Sequence, residues 1–197
     1  MAVNYINIHI PSDRNRKLLQ FCSEINENKP FYVKIDPQEY SQANECFLNV
    51  KAHIEKNGGS LVCGWSIVEF QNIMLEAQFH GIWESSEGQY LDVTPHPLNV
   101  KRNLFLPDEN MQYDFSNPDK VICNKRFPLT DNDLIHCLLN TLYKIHKLKE
   151  KYPHGLSLLT EEDTAELYKL ESLQATCFSK FNDINKRRAL RRKLSKR

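Results

Sequence analysis

No stretch of the sequence approaches the roughly 20 consecutive apolar residues that a membrane-spanning helix requires, so no transmembrane segment is expected. Residues Met1 to Ile10 lack both a basic leader and a long apolar core, which predicts no secretory signal. The six cysteines (Cys22, Cys46, Cys63, Cys123, Cys137 and Cys177) include no CxxC and no close pair. Such scattered thiols argue against a disulfide framework and for a reducing, cytoplasmic compartment. No internal repeat is visible, which sets aside solenoid architectures.

What is present is the composition of a folded globule. Across 197 residues, 41% are hydrophobic, with ten Phe and eight Tyr, enough to bury a sizeable core. The net charge of +1 hides an asymmetry, because eight of the 26 basic residues fall in the last twelve positions. Residues 1–185 therefore carry 18 basic against 25 acidic side chains, a net charge of −7. The expected organisation is a single α+β domain over 1–185 followed by a basic tail, Lys186 to Arg197.

Patterning supplies the elements. Residues 3–9 alternate as a strand, and Ser12 offers an N-cap for a helix burying Leu18, Leu19 and Cys22. Phe31 to Asp36 reads as a short strand. A second helix starts near Gln42 or Asn44, capped by Ser41 or Asn44, and Gly58 with Gly59 stops it. Strand-like runs follow over Leu61–Val68, Ile73–Trp83 and Gly88–Thr94, the last two joined by a turn from Glu84 to Gly88. Three prolines introduce a long irregular section from Pro95 to about Phe127. Helices are expected from about Pro128 to Lys151 and from Thr160 onward, which makes 128–185 the helical part.

The stretch from Asn44 to Pro95 carries the chemistry. If Asn44 is the cap, Cys46 lies in the first turn of its helix, where the helix dipole favours a thiolate. In the Ile73–Trp83 strand Leu75, Ala77, Phe79 and Trp83 share an apolar face, while Glu76, Gln78 and His80 share a polar one. A hairpin centred near Ser86 would set His80 directly opposite Asp92 on that polar face. A thiol, an imidazole and a carboxylate in this order form the set that nucleophilic thiol catalysis needs.

The segment running from His80 through Gly81, Trp83, Gly88 and Asp92 to Thr94 and Pro95 resembles the His and Asp hairpin of the transglutaminase-like, papain-like cysteine enzymes. The helix-start cysteine upstream is similar as well, and the resemblance spans about residues 42–95. It implies a papain-like or transglutaminase-like core, with a small antiparallel sheet packed on a cysteine-bearing helix and C-terminal helices covering one side. It also implies Cys46 as nucleophile, His80 as general base and Asp92 as the orienting acid. The oxyanion donor is left between Gln42, four residues before the cysteine, and the backbone amide of Cys46. Asn49, Trp65, Glu76 and Gln78 are further candidates for supporting the site or touching substrate.

The resulting expectation is a thiol-dependent hydrolase or deamidase, needing no cofactor, that acts on an amide or isopeptide bond of a protein, peptide or small-molecule substrate. Zinc binding by Cys46, Cys63, His80, Asp92 and His96 competes with it, although no pair has the close spacing of a structural zinc site. The alternative of another class is a noncatalytic binding module whose basic tail contacts nucleic acid or another acidic partner. The tail holds no aromatic residue, so base stacking is not supported.

Overall fold

A computed structural model describes residues 7–118, 120, 122–153 and 156–194 of the chain. The described chain divides into two compact units, one built from Ile8–Glu69 and Leu75–Pro118 and the other from Asn7, Phe70–Met74 and the described residues from 120 onward. The expected strand over residues 3–9 is present as Ile8–His9 (β1), and residues 3–6 lie outside the described residues.

The first unit is a closed β-barrel. In chain order it contains β1, α1 (Arg16–Ile25), β2 (Phe31–Ile35), α2 (Cys46–Asn57), β3 (Ser60–Phe70), β4 (Met74–Glu84), β5 (Tyr90–Asp92) and β6 (Arg102–Pro107). The strands pair as β3-β6-β2-β5-β4, and β4 pairs back onto β3, so five strands form a ring, with β1 also paired to β3. Strand β2 runs parallel to β5, with Ile35 beside Asp92, and antiparallel to β6, with Val33 beside Asn103. The ring is therefore mixed. This corrects the expected small antiparallel sheet packed on a helix, because the closing strand β6 falls inside the supposedly irregular section after Pro95.

Local sequence explains most element ends. Asn15, rather than Ser12, caps α1, its side chain accepting the Lys17 N–H at 3.0 Å. Leu18, Phe21 and Cys22 are buried along it, whereas Leu19 is 47% exposed. Gly58, at φ 70°, ends α2 as its N–H reaches the Ile54 carbonyl. Val33, Ile82 and Phe105 meet in the barrel interior, with Phe31 and Val62 against them. Trp65 is buried in β3 and donates its indole N–H to Asp108 Oδ2 at 2.8 Å.

In the second unit, β7 (Lys125–Pro128) precedes a helix that starts later than the sequence suggests, at Asp133 (α3, Asp133–Glu150). Asn132 caps it by accepting the Ile135 N–H at 3.1 Å. Helix α4 runs Glu161–Leu194, so the first part of the basic tail is helical backbone; residues 195–197 lie outside the described residues. Ile135, Leu138 and Leu142 of α3 pack with Cys177, Phe178 and Phe181 of α4 and with Ile73 and Met74. Among the described residues no helix is long and apolar enough to cross a membrane.

Candidate active site

The site begins with Cys46, the first residue of α2 and 8% exposed. The residue ahead of it, Glu45, makes no side-chain capping bond, and Asn44 turns the chain at φ 67°. The asparagine is thus the bend before the helix and not its cap. Asn49, one turn into α2 and buried, supplies the missing tie. Its Oδ1 accepts the Gln42 N–H at 2.9 Å, and its Nδ2 donates to the Gln42 carbonyl at 2.7 Å and to Thr94 Oγ1 at 3.2 Å. The side chain clamps the approach to α2 against the residues after β5.

His80 and Asp92 do come together, but not as directly opposed partners. The β4–β5 register pairs Trp83 with Leu91 and Glu84 with Tyr90, a two-residue shift from the expected hairpin. The Ser85 N–H reaches the Gln89 carbonyl across a turn closed by Gly88 at φ 77°. The shift moves each partner by two residues, so His80 and Asp92 keep the same face and meet diagonally. His80 Nε2 lies 2.9 Å from Asp92 Oδ2.

The carboxylate is 1% exposed and fully engaged. Its Oδ2 also accepts from Asn103 Nδ2 at 3.0 Å, and its Oδ1 accepts the Thr94 N–H at 3.0 Å. Asn103 is in turn held by Ser66, whose hydroxyl donates to Asn103 Oδ1 at 2.8 Å. Burial acts to raise the Asp92 carboxyl, but the His80 charge and these hydrogen bonds outweigh it and hold the group below its usual range. Burial likewise acts to pull His80 down, yet the charges of Asp92 and Cys46 and hydrogen bonds to both raise it to about 10. With Nε2 held by Asp92, Nδ1 is the ring nitrogen left for a second partner.

These residues line a pocket of about 180 Å³ with Asn44, Ser66, Gln78, Thr94 and His96 in its wall. Other candidates lie elsewhere. Gln42 is exposed and outside the pocket, its backbone already bound to Asn49. Trp65 is spent on Asp108, and Glu76 is buried in β4, where it accepts from Gln78 Nε2 at 2.9 Å. Among the described residues no three His, Cys, Asp or Glu side chains are grouped to hold a metal ion. Sequence reasoning missed Asn103, Ser66 and Thr94. A polar Asn at the head of the apolar run Leu104–Leu106 was the available signal for the first.

No protein-family model matches the chain, and no curated protein or solved structure matches it either.

Proposed function

We propose that the chain is a thiol-dependent hydrolase or deamidase that opens an amide or isopeptide bond through Cys46, His80 and Asp92. The observation that carries this reading is the 2.9 Å contact of His80 Nε2 with Asp92 Oδ2 in the wall of a pocket that Cys46 also lines. The likeness to transglutaminase-like and papain-like enzymes is proposed as one of catalytic order and not of architecture.

The Cys46 thiolate attacks the carbonyl carbon, the S–C bond forms, and the π pair moves onto oxygen. As that adduct collapses the C–N bond breaks, and the departing amine takes the proton of His80 Nδ1. Water then gives a proton to the same nitrogen while its oxygen attacks the thioester. The acid leaves, and thiolate and imidazolium are restored. Asp92 fixes the ring so that Nδ1 faces the sulfur throughout.

The test is iodoacetamide alkylation at pH 7, mapped to the Cys46 peptide by mass spectrometry, in the native protein and in His80→Ala. The expected result is fast labelling of Cys46 that falls at least roughly tenfold without His80. Equal rates in the two proteins would refute the reading and turn attention to the noncatalytic alternative, tested by salt-dependent binding to an acidic polymer before and after removal of residues 186–197.

A further inference from the structure

A thiol acyl transfer needs a donor for the oxygen that becomes negative, and Gln42 is not placed to be it. The pocket wall offers five other polar side chains besides the triad. The Ser66 hydroxyl is given to Asn103, and one of the two Gln78 amide hydrogens is given to Glu76. Thr94 spends its N–H on Asp92 and accepts from Asn49 Nδ2 at its hydroxyl oxygen, which leaves its O–H as a donor. Asn44 is exposed at the bend before α2. His96 is the fifth.

His96 is built for the task. Pro95 and Pro97 flank it, which restricts both its own backbone and that of Thr94 to extended conformations. The Leu98 N–H donates to His96 Nδ1 at 3.2 Å, and the Asn99 N–H reaches the His96 carbonyl at 2.9 Å. A backbone N–H can only donate, so Nδ1 is an acceptor and the proton of the neutral ring sits on Nε2. Burial lowers the affinity of this ring for a second proton; Asp92 opposes that, and the charge on His80 adds to it. A neutral imidazole with one N–H is a donor that neither repels His80 nor competes for the proton of the Cys46 thiol.

We propose that His96 is a catalytic residue whose Nε2–H, with the Cys46 amide at the start of α2, receives the carbonyl oxygen of a small neutral acyl or carboxamide group. This rests on the function proposed above and narrows its substrate. The pocket of about 180 Å³ is below the roughly 300–1,000 Å³ of cavities that enclose a whole drug-sized ligand. It therefore takes the head of a substrate and leaves the remainder in solvent. No Lys or Arg lines it, and the His80 charge and the one carboxylate are committed to each other, so nothing in the wall is set to pair with a charged acyl group.

The experiment compares two probes of Cys46. p-Nitrophenyl acetate acylates the thiol through an oxyanion, read as a burst of nitrophenolate. Methyl methanethiosulfonate modifies the same thiol with no carbonyl, read by mass at the Cys46 peptide. His96→Ala is expected to slow acylation on the order of 100-fold while leaving the thiosulfonate rate within about twofold, and His96→Gln, which keeps an N–H, is expected to recover part of the loss. A purely structural role would slow both reactions together, and that result overturns the proposal. So does equal acylation in wild type and His96→Ala, or a selective loss in Asn44→Ala instead. Absence of any Cys46-dependent burst in the wild-type protein removes the proposed function itself, and this inference with it.

Discussion

Asn103 Nδ2 lies 3.0 Å from Asp92 Oδ2, the oxygen that also meets His80. The asparagine is fully buried on β6, so the strand that closes the barrel also holds the acid of the site. Asn103→Ala leaves a buried carboxylate oxygen and the Ser66 hydroxyl short of a partner, which is expected to cost roughly 1–3 kcal/mol. Urea unfolding measures the loss. A variant as stable as wild type would mean that Asp92 does not depend on this bond.

The His80–Asp92 pair predicts a specific pH profile. The folded-state value of His80 is raised from 6.5 to about 10, so its contribution is complete below the lower figure and declines as pH climbs toward the higher. Asp92 is lowered, so its contribution is present above its unfolded value and is lost only as pH falls through the folded one. The urea midpoint should therefore fall between about pH 6.5 and 8.5 in wild type, and His80→Gln should flatten that slope. Stopping there keeps clear of Cys22 and Cys177, which burial raises to about 12 and 11. A slope unchanged by His80→Gln would assign the pH dependence to other groups.

Strand period exposed the polar face of β4, and it survives in the structure because a two-residue register shift leaves every side chain on its own face. The cysteine was legible as a helix-start residue, although the bend at Asn44 places it one position earlier than an Asn cap would. The barrel was not legible, and β6 is the reason. Asn103, Leu104, Phe105 and Leu106 are all buried, so the strand shows no alternation. Its flanking prolines read as loop punctuation. The parallel β2–β5 pairing is equally silent, since it joins residues far apart in sequence whose own patterns are unremarkable. Asn103 could not be assigned to Asp92 without that topology.

Asn49 is the residue through which the approach to α2 is tied to the segment after β5. Asn49→Ala removes three hydrogen bonds, leaving the Gln42 N–H without its partner and the Gln42 carbonyl with the 3.4 Å bond from the Glu45 N–H. The expected cost is about 1–3 kcal/mol, with a second consequence that a simple loss of stability would not bring. Alkylation of Cys46 should become slower than in wild type at temperatures where the variant is still folded, because the thiol is no longer held toward His80. Unaltered Cys46 labelling in a folded Asn49→Ala protein would restrict Asn49 to stability.

The barrel seam makes the last prediction. Gly64 in β3 sits opposite Pro107 in β6. A Cβ added at Gly64 would strike the Leu106 carbonyl oxygen and approach Phe105 Cζ at 2.6 Å and the Pro107 Cα at 2.9 Å. Two of those neighbours are backbone atoms, and a side chain cannot rotate them out of the way. Gly64→Ala is therefore expected to force β6 away from β3 and destabilise the protein by roughly 1–3 kcal/mol. The displaced strand carries Asn103, so the His80 pH slope should weaken along with stability. Combining Gly64→Ala with Phe105→Leu separates the causes: if the phenyl ring were the obstacle, the double variant would recover. Because the Leu106 carbonyl is the nearer contact, the urea midpoint of the double variant should stay below that of Phe105→Leu alone. Full recovery would show that β3 and β6 approach less closely at Gly64 than the structure places them.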